Sequence, residues 1–251
     1  MASKEKEKEK SNHSKILFAF SLWAYSTNVL IHLYCCFYHI VKYRIITKVF
    51  LMPLLLLLYY QITTKETRTK CLVYSLIFGA LGDIIILNKS MHICIILGLA
   101  CFLIGHLLYI SEIASHIEMK LWKEKMWTAL GLLIFFGCLV SYLFKYHLGE
   151  GMARGKVVIP GILYMSILGL LNSAAIFYLL IKKTKSSILV CVGAFLFSSS
   201  DFILTKQMFY GDNPYYSFLI MSTYIMAQTF LTVGLSNDEK KQYIIRKLLE
   251  V

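Results

Sequence analysis

Long, nearly uninterrupted apolar runs decide the fold class of this chain. An α-helix of about 20 apolar residues crosses the roughly 30 Å hydrocarbon core of a bilayer, and runs of that length repeat along the sequence. They cover about residues 16–40, 45–62, 70–87, 92–114, 126–144, 157–181, 188–206 and 215–235. The runs predict an all-α polytopic membrane protein with eight transmembrane helices.

Composition excludes the main soluble alternatives. Only 16% of the residues are charged, whereas soluble domains carry about 25%. The net charge of +12 would fit a nucleic-acid-binding module if it covered one folded face, but the basic residues here stand between the apolar runs. We therefore expect the lipid bilayer, and no nucleic acid, as a partner.

The distribution of lysine and arginine predicts the orientation. The head, the even-numbered connections and the tail hold 18 of the 26 basic residues, and the other connections hold 8. The positive-inside rule then places both termini in the cytosol. We expect a disordered charged cytosolic head over residues 1–15, a transmembrane domain over 16–235 and a cytosolic tail over 236–251.

Two acidic residues lie deep within apolar runs, Asp83 and Asp201. An aspartate at the centre of a membrane helix costs about 2.5–3.5 kcal/mol on insertion scales, so each indicates a functional site. The alternative is a hydrogen-bonded acid that locks two helices together. Each lies 13 residues after the predicted cytosolic start of its span, which places both about 20 Å up from that face. Each also follows a tract of small residues, which permit close helix contact.

Paired carboxylates in a low dielectric suit two kinds of chemistry. They do not both ionise readily, so a proton donor would stand beside a carboxylate. This pair suits acid-catalysed hydrolysis of an acetal-like bond. It suits a proton- or ion-coupled carrier of a lipid or small cation equally well, and the spacing does not separate the two.

The polar motifs around these acids resemble those of the YhhN-type lysoplasmalogenase family of eight-span membrane hydrolases. The resemblance extends over about residues 45–235. The matching pieces are Phe78-Gly-Ala-Leu-Gly-Asp83, Gly105-His106-x-x-Tyr109, Pro160-x-x-x-Tyr164, Gly193-Ala-x-Leu-Phe-x-Ser-Ser-Asp201 and Tyr224-x-x-Ala-Gln228. One departure lies in span two, where the family tends to place a lysine close before a proline, whereas Lys48 and Pro53 are five residues apart.

The resemblance implies that the domain over 16–235 hydrolyses the vinyl ether bond of lysoplasmalogen, as part of plasmalogen catabolism. The products would be a fatty aldehyde and glycerophosphocholine or glycerophosphoethanolamine. Asp83 and Asp201 would share the acid and base work, without a cofactor or metal. An endoplasmic reticulum location follows from the resemblance alone, and the oligomeric state stays open.

Further polar side chains are candidates for substrate binding or for positioning the aspartates. Tyr164 and Tyr224 should reach the level of the aspartates, although ordinary aromatic packing would explain them too. Counting residues places His106 about 10 Å nearer the cytosol than Asp83, which favours a structural hydrogen bond or a headgroup contact over a direct relay. The remaining candidates are Tyr109, Asn172, Ser198, Ser200 and Gln228.

Overall fold

A computed structural model describes the backbone over residues 2–88, 92–211, 213 and 215–249. It describes the side chains over 15–88, 93–211, 213 and 215–237. Across these ranges the chain is helical with short connections and contains no strand. The all-α class is therefore confirmed.

The helices follow one another closely along the chain. A π-helical segment, Phe144–Leu148, joins the sixth helix to the seventh. The α-helices are α1 Ala2–Phe37, α2 Val41–Ile62, α3 Lys70–Ile85, α4 His92–Ser115, α5 Met119–Glu124, α6 Met126–Leu143, α7 Gly149–Arg154, α8 Val158–Lys182, α9 Lys185–Tyr210 and α10 Tyr216–Leu249.

Seven helical stretches in the described ranges are long and apolar enough to cross a bilayer. They are Lys15–Phe37, Val41–Ile62, Ile93–Ser115, Met126–Arg154, Val158–Lys182, Lys185–Tyr210 and Tyr216–Asn237. The remaining predicted span corresponds to α3, whose 16 residues extend only about 24 Å. The chain is a polytopic membrane protein, while the count of eight spans and the cytosolic termini stay predictions.

Several helices extend beyond the apolar runs that predict them. Helix α1 begins at Ala2 and α10 continues to Leu249, whereas α2 begins at Val41 instead of residue 45. Hydropathy marks the part of a helix that lies in lipid, while lysine and glutamate continue a helix readily in water. The side chains of residues 1–14 and 238–251 lie outside the described ones, and the boundaries of the head and tail stay predictions.

Helices α8 and α10 form the buried centre of the bundle. They are the most buried of the candidate spans, and the Met126–Arg154 stretch is the least buried. Helix α8 contacts α4, α6 and α9, while α10 packs along α9 and also contacts α1 and α2. Helix α3 packs between α2 and α4. The helices that carry the aspartates, α3 and α9, therefore each pack between two other helices of the bundle.

Glycines on α3 allow bulky partners to approach Asp83. A Cβ added at Gly82 would lie 2.9 Å from the ring of Phe102, on α4. A Cβ added at Gly79 would lie 3.4 Å from the amide nitrogen of Gln228 and 3.7 Å from the hydroxyl of Tyr224. The small residues that precede Asp83 therefore make room for aromatic and polar side chains from other helices.

Candidate active site

Asp83 lies near the end of α3, is 3% exposed, and has a partner at each carboxylate oxygen. The Lys48 ammonium lies 3.2 Å from Oδ1. The Tyr224 hydroxyl donates a hydrogen bond to Oδ2 over 2.8 Å. A buried carboxylate needs such partners to offset the loss of water.

Asp201 lies in the C-terminal half of α9 and accepts a hydrogen bond from a different tyrosine. The Tyr164 hydroxyl donates to Oδ2 over 2.6 Å. His106 Nε2 lies 3.0 Å from that hydroxyl and 3.9 Å from Oδ2 of Asp201. Asp201 makes no ion pair with lysine or arginine in the described part of the chain. The two acids therefore have different electrostatic surroundings.

The partners of the two aspartates cross between helix pairs. Asp83 and His106 lie on the neighbouring helices α3 and α4, yet His106 is directed towards Asp201. Asp201 and Tyr224 lie on the neighbouring helices α9 and α10, yet Tyr224 bonds Asp83. This exchange ties the two pairs of helices together through the polar side chains.

Tyr109 and Gln228 extend the network behind Tyr224. The Tyr109 hydroxyl donates to the Gln228 carbonyl oxygen over 2.6 Å, and the Gln228 amide donates to the Tyr224 hydroxyl over 3.5 Å. All three side chains are buried. The amide occupies one acceptor site of the Tyr224 hydroxyl, whose proton is directed to Asp83.

Both aspartates line one polar cavity of about 410 Å³. Its wall includes cationic side chains from α2 and hydroxyl and amide groups from α9 and α10. The residues with polar side chains in this wall are His32, Cys36, Arg44, Lys48, Asp83, Asn88, Ser200, Asp201, Gln207, Ser217 and Tyr224. The prediction that Asp83 and Asp201 share a site is consistent with this arrangement.

A second cavity of about 460 Å³ has an almost entirely apolar wall. Helix α9 lines it from Phe195 to Phe209, a length of about 21 Å along the helix axis. Phe102 and Asp201 line both this apolar cavity and the polar one, so the two adjoin there. Asp201 thus stands between a polar space and an apolar one.

The three smaller candidates lie along α8 and α9. The Asn172 amide donates to the Ser198 hydroxyl over 2.6 Å, and both residues line the apolar cavity. Ser200 lines the polar cavity and donates to the backbone carbonyl of Ile220 over 3.0 Å. Ser200 therefore connects α9 to α10, and the Asn172–Ser198 pair connects α8 to α9.

His106 lies closer to an aspartate than its position along α4 predicts. Residue counting assumes upright helices that start at a common plane, and it separates His106 by about 10 Å from the level assigned to both aspartates. The 3.9 Å distance to Asp201 shows that this assumption fails for α4 and α9. His106 is hydrogen-bonded to Tyr164, and its role stays a prediction.

Lys48 and Arg44 are site residues that sequence reasoning misses. Arg44 lies before the predicted span 45–62, but α2 begins at Val41 and contains it. Lys48 lies near the start of that predicted span, and the sequence assigns it no role. The two residues stand four apart, so they project from the same face of α2. The signal in the sequence was this spacing, together with the lysine that the resembled family places before a proline in span two.

Comparison with known proteins agrees with the motif resemblance. The model of the YhhN family matches residues 43–235. No curated protein and no solved structure matches the chain. The matched range contains the helices that carry both aspartates and all the side chains that bond them.

Proposed function

Because the chain belongs to the YhhN family, we propose that it is a membrane-embedded lysoplasmalogenase. It would cleave the vinyl ether bond of lysoplasmalogen to a fatty aldehyde plus glycerophosphocholine or glycerophosphoethanolamine, in the endoplasmic reticulum membrane. The observation that carries the proposal is the position of both aspartates on one polar cavity that adjoins an elongated apolar one. A single-chain ether phospholipid has a polar headgroup and an apolar chain, which match the polar and the apolar cavity.

Asp201 is the proton donor in this proposal. The ammonium of Lys48 beside Asp83 favours the ionised form of Asp83, since a neutral partner would leave a largely buried cation unpaired. Asp201 has no such cation and borders the apolar cavity. Its proton goes to the β-carbon of the vinyl ether. The double-bond electrons form the new C–H bond, and an oxocarbenium ion results.

Asp83 then acts as the base. Its carboxylate removes a proton from water as the water oxygen bonds to the oxocarbenium carbon, which gives a hemiacetal. The hemiacetal hydroxyl returns a proton to Asp201 while Asp83 protonates the departing glycerol oxygen. The C–O bond breaks, the aldehyde forms, and both acids regain their starting states. Tyr164 and Tyr224 hold the two carboxyl groups in position through their hydrogen bonds.

The two cavities suggest how the lipid would lie. The hydrocarbon of one bilayer leaflet is about 15 Å deep, and the apolar cavity follows α9 for about 21 Å. That cavity is long enough for a membrane-lipid chain. With the glycerol in the polar cavity, the vinyl ether would lie at the boundary, beside Asp201.

Aldehyde release by the purified protein tests the proposal. The protein is given an alkenyl lysophospholipid or its ester analogue, and we expect aldehyde from the alkenyl lipid alone. Asp83→Asn and Asp201→Asn should each lower kcat by about 100-fold or more, because each removes a general acid or base. Absence of aldehyde from the wild type would favour a proton-coupled carrier that uses the same acids.

Glu112→Gln is the matched control for these variants. Glu112 is a buried acid on α4, lies 3.2 Å from His116, and lines neither cavity. We expect its turnover per folded molecule to stay within about threefold of the wild type, with folding checked by size-exclusion chromatography. Full activity in either aspartate variant would refute the mechanism.

A further inference from the structure

Arg44 carries a positive charge in the polar cavity that the proposed reaction does not use. It stands one helical turn from Lys48 on α2, and both side chains line the cavity. Lys48 is paired with Asp83. Arg44 donates to the Ser217 hydroxyl over 3.1 Å and makes no ion pair with a carboxylate within the described ranges.

The charges in the cavity leave a place for one anion. Arg44 and Lys48 contribute two positive charges, and Asp83 contributes one negative charge. Lys48 and Asp83 pair with each other, and Arg44 forms no ion pair with Asp201, so no carboxylate partner offsets the charge of Arg44 directly. An uncompensated charge in a low-dielectric site is costly, and a bound anion would offset that cost.

The donors beside Arg44 suit a phosphate. A guanidinium carries five N–H groups in a planar fork, so the bond to Ser217 leaves others to donate to two phosphate oxygens. Gln207 reaches the same hydroxyl over 3.4 Å and also lines the cavity. Arginine and amide donors therefore face one region of the wall.

We propose that Arg44 binds the phosphodiester of the lipid substrate and thereby positions the vinyl ether at the two aspartates. The inference rests on the proposed function, because it assumes that the aspartates act on a phospholipid. Residues four apart on a helix are separated by about 6 Å along its axis, roughly the length of a glycerol backbone. A phosphate at Arg44 thus places the other end of the glycerol near Lys48 and Asp83.

Ligand binding tests the phosphate site independently of turnover. The probe is 1-O-hexadecyl-glycerophosphocholine, whose saturated ether has no double bond to protonate, and 1-O-hexadecylglycerol is the same chain without phosphate. Arg44→Gln should raise the Kd of the phospholipid about 10- to 100-fold and leave that of hexadecylglycerol within twofold. Arg44→Lys, which keeps the charge but loses the fork, should give a smaller increase.

Lys42→Gln is the matched control. Lys42 is an exposed cation on α2 and does not line the cavity. We expect it to bind both ligands as the wild type does. Equal weakening of both ligands by Arg44→Gln and Arg44→Lys would assign Arg44 a structural role and overturn the proposal. Unchanged phospholipid binding would overturn it too.

Inorganic phosphate distinguishes the source of the anion. At millimolar concentration it should neither stabilise the wild type thermally nor displace the phospholipid. Binding of inorganic phosphate that depends on Arg44, without binding of the phospholipid, would overturn the lipid assignment. These binding measurements use an ether that the protein cannot cleave. Their outcome therefore tests the phosphate site whether or not the protein releases aldehyde from an alkenyl lipid.

Discussion

Asp83 and Asp201 occupy similar depths in the sequence pattern but differ in their neighbours. Asp83 has an ammonium at 3.2 Å, whereas Asp201 has a tyrosine hydroxyl and a histidine. Asp83 thus forms an ion pair, whereas Asp201 is held by neutral hydrogen-bonding groups. At the residue scale, the proposed mechanism uses this difference to give separate roles to two chemically identical side chains.

Deuterium incorporation tests the assignment of acid and base. Asp83→Asn keeps the proton donor but removes the base, so protonation of the vinyl ether should reverse. After incubation in D2O, the recovered alkenyl lipid should carry deuterium at the β-carbon, measured by mass spectrometry. Asp201→Asn should incorporate none. Deuterium in the Asp201 variant, with none in the Asp83 variant, would exchange the two roles.

At the scale of helices, α9, which carries Asp201, packs closely against α10. Glycine on each helix brings the backbones together. A Cβ at Gly193 would lie 3.1 Å from the Ala227 carbonyl oxygen. A Cβ at Gly234 would lie 2.9 Å from the Ser186 carbonyl oxygen. Small residues at such contacts are typical of membrane helices, which associate through packing.

Gly234→Ala should therefore separate α9 from α10. We expect the free energy of unfolding to fall by about 1–3 kcal/mol, the usual cost of overpacking, with a lower midpoint in thermal denaturation in detergent. Gly137→Ala is the control, because a Cβ there has no heavy atom within 4 Å. Its midpoint should be unchanged or higher, since alanine favours helix. An equal midpoint for both variants would contradict the packing argument.

At the scale of the whole molecule, the bundle encloses two unlike spaces that adjoin at Asp201. The polar cavity draws its charged groups from α2, α3 and α9, while the apolar one lies between α4, α6, α8 and α9. Of the helices that line the apolar cavity, α6 has the fewest buried residues, since the Met126–Arg154 stretch that contains it is the least buried of the candidate spans. Substitutions on α6 can therefore change the volume of the apolar cavity without disturbing the aspartates.

Leu139→Trp should reduce the space for the lipid chain. Leu139 lies on α6 and lines the apolar cavity. We expect kcat/KM to fall at least tenfold for an 18-carbon alkenyl chain and to change little for a 12-carbon chain. Leu130→Trp is the control, because Leu130 is exposed on α6 and lines neither cavity. Equal losses for both chain lengths would place the chain elsewhere.

Much of the fold and part of the site could be predicted without coordinates. The apolar runs predict the long helices, and the insertion cost of a buried charge selects Asp83 and Asp201. The start of α2 was harder to predict, because hydropathy does not show where a helix begins outside the lipid. That error hid Arg44, which the longer helix brings to the cavity, whereas Lys48 already lay within the predicted span but was given no role.

The sequence by itself determined the membrane class, the approximate spans and the two deep acids. These follow from properties of single segments, namely the free energy of transfer to lipid and the cost of a buried carboxylate. Only the tertiary structure decided that Tyr224 bonds Asp83, that Tyr164 bonds Asp201, and that a polar and an apolar cavity adjoin. These depend on the rotation, tilt and depth of each helix, which packing against its neighbours sets.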